Sequence, residues 1–139
     1  FVPGTMGTLI LETRVQFADL DTKEAFIGFS DVAPDTLSIE TDILSAVTVT
    51  LTPVASDYVG FYLSAELTAD ESWHAVYNGG SANGVTSSVA ADLAVDAVAG
   101  EYQILRLEIT NDGDARFYID EVLKTTITGA VSATVAQGL

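Results

Sequence analysis

His74 is the only imidazole in the chain and stands in the run Ser72-Trp73-His74-Ala75. A histidine beside a serine raises acyl transfer. That chemistry needs serine, imidazole and a carboxylate in one hydrogen-bonded line, which adjacency along a chain does not provide. Carboxylates two apart, Asp19 with Asp21 and Asp112 with Asp114, raise glycoside hydrolysis instead. Retention there needs two carboxyl groups about 5 Å apart. Both pairs fall in turn-like stretches, and Asp120 and Glu121 would point to opposite faces of an extended chain. No Glu-x-Asp-x-x-Glu run occurs. The expectation is a protein without a catalytic site.

Asn111-Asp112-Gly113-Asp114 offers oxygens to Ca²⁺, with Asp112 and Asp114 as candidate ligands. A hard cation of that kind takes six to eight oxygens, and the spaced acids and closing Glu of a calcium loop are missing. The same four residues are the usual ones of a tight hairpin turn, and the turn is the preferred reading. No resident metal or cofactor is expected. Trp73, His74 and Tyr77 form the candidate ligand-binding set. With Tyr58, Tyr62, Tyr102 and Tyr118 they could build a platform on which a sugar stacks, if their rings are exposed. In strands half of such positions are core, so packing competes with binding for every ring. Asn78-Gly79-Gly80-Ser81 lacks the Lys and the helix of a phosphate loop.

The elements that must position these residues read as strands. Residues 9–17 alternate, with Leu9, Leu11, Thr13, Val15 and Phe17 on one side and Ile10, Glu12, Arg14 and Gln16 on the other. Residues 25–30, 47–51, 58–63 and 73–77 read as further strands. Residues 102–110 place Leu105, Leu107 and Ile109 on one face; the 111–114 turn follows, then Ala115, Phe117 and Ile119. Asp120-Glu121 turns the chain again, and Leu123, Thr125 and Ile127 return, so a three-stranded antiparallel meander is expected. Residues 87–100 read as strand or loop, although Val89, Leu93 and Ala97 also fit a helix stopped at Gly100. A long connection punctuated by Pro34 and Pro53 is expected within 31–57. Many short strands require two packed sheets, because one sheet leaves an apolar face wet. The fold class is therefore all-β, a two-sheet antiparallel sandwich of the jelly-roll type.

The chain has 139 residues, the size of one domain, with 48% hydrophobic residues and no Cys. A disulfide framework and a thiolate site are thus excluded. No stretch approaches 18 consecutive apolar residues, and no charged segment precedes an apolar one as in a signal peptide. Five Lys and Arg face 20 Asp and Glu, a formal charge of −15. Such a chain makes no phosphate-binding footprint and is repelled by anionic membranes, so neither nucleic acid nor membrane is an expected partner. The acids are scattered singly, as on a solvated face.

Several strings also suggest a family. "GTLILETRVQFADLDTKEAFIGFSD" resembles the opening of concanavalin A-like (laminin G-like) jelly rolls, and "DYVGFYLS" with "WHAVYNGG" continues the pattern. "EYQILRLEITNDGDARFYIDEVLKTTITGAV" is similar to the family's most distinctive stretch. The combination resembles virion structural proteins of tailed phages. The resemblance implies a capsid decoration (cement) protein on the outer surface of the head, bound across junctions of the major capsid protein. It also implies self-association, with a trimer among the options. The alternative it leaves is a carbohydrate-binding, lectin-like module of a phage fibre or secreted bacterial protein. Glu121 stands where the family usually has Gly, so that turn is expected to differ. The family pattern runs past "VAQGL" into closing strands, so 1–139 is expected to be a single sandwich lacking its last strand or strands.

Overall fold

The computed structural model describes residues 1–33, 37–68 and 71–139. Among the described residues ten strands carry the architecture: β1 (Leu9–Gln16), β2 (Glu24–Ser30), β3 (Leu44–Val47), β4 (Thr50–Pro53), β5 (Tyr58–Ser64), β6 (Ser72–Asn78), β7 (Asp92–Asp96), β8 (Tyr102–Ile109), β9 (Ala115–Ile119) and β10 (Val122–Ile127). Two single helical turns, α1 (Pro3–Met6) and α2 (Ser88–Ala91), and a π-helical turn (Ile39–Ile43) complete it. The first sheet has the order β1-β8-β9-β10 and the second β2-β5-β6-β7; all pairs are antiparallel. The chain is an all-β sandwich. Pro34 falls outside the described residues.

The alternation of β1 is realised residue by residue: its odd positions are half-buried and its even positions exposed. Apolar side chains of both sheets meet between them. Phe61 of β5 crosses the gap to Phe117 of β9, ring centroids 5.2 Å apart and edge to face, and also meets Trp73 edge-on at 6.2 Å. That geometry suits aromatic quadrupoles. Gly28 and Gly60 sit opposite each other across β2 and β5. A Cβ on Gly60 would lie 2.7 Å from the Phe26 ring, so the missing side chain is what lets that ring approach β5.

The second sheet is covered on its other face as well. β3 and β4 pair as a hairpin, and with the π-helical turn and α2 they bury a second apolar cluster against it. Ile43, Leu44, Leu51, Tyr58, Tyr62 and Val76 are essentially inaccessible there. β5 is consequently buried along its whole length.

Two local readings are corrected and a third is refined. Residues 47–51 are a hairpin tip: the chain reverses at Thr48-Val49, with Thr48 in the left-handed region at φ 58°. β10 carries a register shift between Leu123 and Thr125, so Leu123 pairs with Tyr118, is 48% exposed and does not share the buried face with Thr125. Residues 87–100 are strand and loop as expected, with β7 paired to β6, except that the single turn α2 precedes the strand. The Asp120-Glu121 turn forms as expected, with both residues left-handed, φ 49° and 66°. Glu121 thus adopts the conformation that Gly would take more freely.

Candidate functional site

β6 brings Trp73 and His74 to opposite sides of the second sheet. Trp73 lies in the central core at 0% exposure, tilted against Phe17 and edge-on to Phe61. Its indole N–H donates to Gln103 Oε1 at 2.9 Å, and the Gln103 amide donates in turn to the Asp96 carbonyl. These bonds satisfy the only polar atom of the ring, so Trp73 is a core residue and not an exposed stacking surface. Tyr77 is half-buried and packs against both clusters.

His74 faces the covered side, also at 0% exposure, opposite Tyr62 on β5 and Asp92 on β7. Neither ring nitrogen has a hydrogen-bond partner among the described residues. Burial lowers its pKa, opposed by the nearby Asp92 carboxylate and by neighbouring backbone groups of Tyr62 and Ser72. The neutral imidazole acts as a packing group. Ser72 does not engage it: the Ser72 hydroxyl donates to Asp96 Oδ1 at 2.7 Å. The candidate serine and histidine are therefore neighbours in sequence with separate partners.

Asp112 is exposed in the β8–β9 turn, and Asp114 is half-buried. Asp114 Oδ1 accepts the Gly129 N–H at 2.8 Å, and its backbone carbonyl accepts the Thr110 N–H at 2.9 Å. The Asp114 carboxylate thus ties the turn to the segment after β10. No group of three or more His, Asp or Glu that could hold a metal occurs among the described residues.

Two polar clusters had no sequence signal. Asp57, 2% exposed, accepts the Ser132 N–H at 3.0 Å and a bond from the Gln137 side-chain amide. Desolvation by burial pushes its carboxyl up to about 6; the Ser132 N–H opposes the shift and the Asp31 charge adds to it. Gly79, at φ 97°, passes beneath it: a Cβ there would lie 2.4 Å from Asp57 Oδ2. Glu24 accepts the Tyr62 hydroxyl at 2.7 Å; burial raises its pKa, the Tyr62 bond lowers it, and Glu40 and Glu66 raise it further.

Two surfaces stand out. A cleft of about 500 Å³ runs along the free edge of β2, lined by Leu11, Phe26, Ile27, Val32, Ile43 and Leu139 among others. At one end Ser30 and Gly138 exchange both backbone hydrogen bonds, at 3.0 and 2.8 Å. The second surface is the outer face of the β1-β8-β9-β10 sheet. The strand registers set Glu12, Arg106, Tyr118 and Leu123 in one row and Ile10, Glu108, Arg116 and Thr126 in the next. The Arg106 guanidinium lies 4.0 Å over Tyr118 and that of Arg14 3.8 Å over Tyr102. Glu108 joins the rows: it accepts from Tyr118 at 3.2 Å and pairs with Arg106 and Arg116 at 3.5 and 3.7 Å.

No family model, curated protein or solved structure matches the chain. The resemblance to concanavalin A-like virion proteins rests on the residues quoted for it.

Proposed function

We propose that the chain is a non-catalytic virion structural protein: a decoration or cement protein on the outer surface of a tailed-phage head, bound across junctions of the major capsid protein. The sequence resemblance supplies the class. The observation that carries the reading is how the chain uses its reactive and aromatic residues. His74, Trp73, Tyr58 and Tyr62 are all at 0% exposure and serve packing. What the surface offers is extended faces, which suit binding that a symmetric lattice repeats many times. Quantitative mass spectrometry of purified particles tests this directly. A copy number near that of the shell subunit supports it; a few copies per particle, with no binding of the purified chain to undecorated shells, overturns it.

A second reading, the carbohydrate-binding module, is favoured by one observation. Tyr102 is 54% exposed, with Arg14 stacked on its ring. With Trp73 enclosed, stacking on sugar falls to Tyr102 and Tyr118. Glycan binding that survives Trp73→Phe and is lost in Tyr102→Ala would establish this reading over the first.

A further inference from the structure

The charges of this chain are divided unevenly between the strands of the first sheet and the rest of the chain. The strands β1, β8, β9 and β10 contain Arg14, Arg106, Arg116 and Lys124, four of the five Lys and Arg, but only Glu12 and Glu108 of the 20 Asp and Glu. Their balance is four cations against two acids, +2. The rest of the chain holds one cation, Lys23, against 18 acids, a balance of −17. Strong electrostatic asymmetry of this kind orients association and fixes which faces meet.

The cationic face is also built for contact. Arg14 and Arg116 are exposed, and Arg14 makes no ion pair among the described residues. Stacking on Tyr102 and Tyr118 holds Arg14 and Arg106 flat on the sheet. Little side-chain freedom then remains to be lost on binding. Ile10, Tyr102 and Leu123, 57%, 54% and 48% exposed, supply apolar area between them. Arg and Tyr around apolar residues is the composition of interface hot spots.

We infer that this face docks on the acidic surface of a second copy of the same chain, head to tail. Charge complementarity selects that occupant. Two cationic faces repel each other, whereas outside this sheet and its two tight turns, which carry Asp112, Asp114, Asp120 and Glu121, each copy has 14 acids against the single cation Lys23. At physiological salt, repulsion between the net charges is screened beyond about 8 Å, so the local match decides. A head-to-tail contact uses different surfaces on the two partners. It therefore closes into a ring or runs on as a chain, and does not stop at a two-fold dimer. The inference is independent of the virion reading and stands or falls on the purified chain.

Sedimentation velocity of the chain over a concentration series, at low and high NaCl, tests it against Arg14→Glu/Arg116→Glu. Expected is association beyond a dimer that high salt weakens and that the double reversal weakens at least about tenfold. Zero-length carbodiimide coupling of mixed light and ¹⁵N-labelled protein should join Lys124 of one copy to carboxylates outside the four strands of another. Circular dichroism checks that the double variant is folded; if it is not, Arg14→Gln takes its place with the same direction expected. A monomer up to about 1 mM, where even weak specific contacts are populated, overturns the inference. So does association that the substitutions leave unchanged, or crosslinks that join only the two cationic faces.

Discussion

The outer face of the β1-β8-β9-β10 sheet lies open to water, whereas the corresponding face of β2-β5-β6-β7 lies under a second apolar layer. The two sheets have the same number of strands and the same antiparallel pairing. What differs is the sequence they require. A sheet wet on one side alternates strictly, as β1 does. A sheet covered on both sides has no polar face, and β5 reads Tyr-Val-Gly-Phe-Tyr-Leu-Ser, buried throughout. The first arrangement leaves charges and rings free to meet a partner. The second consumes its aromatic and titratable groups in packing.

Truncation on the two faces should separate them most sharply. Leu51→Ala, under the second layer, is expected to cost about 2–5 kcal/mol in a denaturant titration. Ile10→Ala on the open face should cost no more than about 0.5 kcal/mol in dilute solution. Equal losses would mean that the open face is covered too.

The pH dependence of stability should show the next largest effects, with opposite signs. Asp57 has a folded pKa raised to about 6. Its contribution is fully present below about 4, the unfolded value, and is lost as the pH rises through 6. His74 has a lowered folded pKa, so its contribution is present above about 6.5 and is lost as the pH falls below that value. Thermal melts between pH 4 and 8 should show Asp57→Asn flattening the first slope and His74→Leu the second. A first slope that survives Asp57→Asn would mean that another group titrates.

Two tyrosines of the covered face give a finer contrast. Tyr62 donates to Glu24, whereas the Tyr58 hydroxyl is buried without a partner among the described residues. Tyr62→Phe should lose about 0.5–1.5 kcal/mol and Tyr58→Phe nothing, or gain slightly. A small effect is also expected at the exposed Asp19–Lys23 pair, 3.1 Å apart. Lys23→Ala should change stability by less than about 1 kcal/mol.

The same contrast governs what the sequence reveals. β1, β8 and β9 are legible because one wet face preserves their period, and the meander follows from Asn111-Asp112-Gly113-Asp114 and Asp120-Glu121. The β3–β4 hairpin is hidden because its tip is Thr48-Val49, with no Asn or Gly to mark positive φ, so apolar alternation runs through the reversal. Leu123 is misplaced because a register shift exchanges faces without any change in composition. The Asp57 cluster leaves no local trace: Ser132 and Gln137 lie 75 and 80 residues away. Trp73 and Tyr77 read equally well as platform or core, and only the second sheet's position between two layers decides it.

Residues near the two ends of the chain also meet. The Phe1 amino group donates to the Gln137 carbonyl at 2.8 Å, and the Gln137 N–H returns a bond to the Phe1 carbonyl at 2.7 Å. The two segments are held together along one seam by backbone hydrogen bonds. A short linker across that seam would permit circular permutation, with new ends cut at the exposed tip of the β8–β9 turn. Anything joined at either position would emerge beside the β2 edge, where Gly138 pairs with Ser30 and Leu139 lines the cleft, and would compete with a partner for that edge.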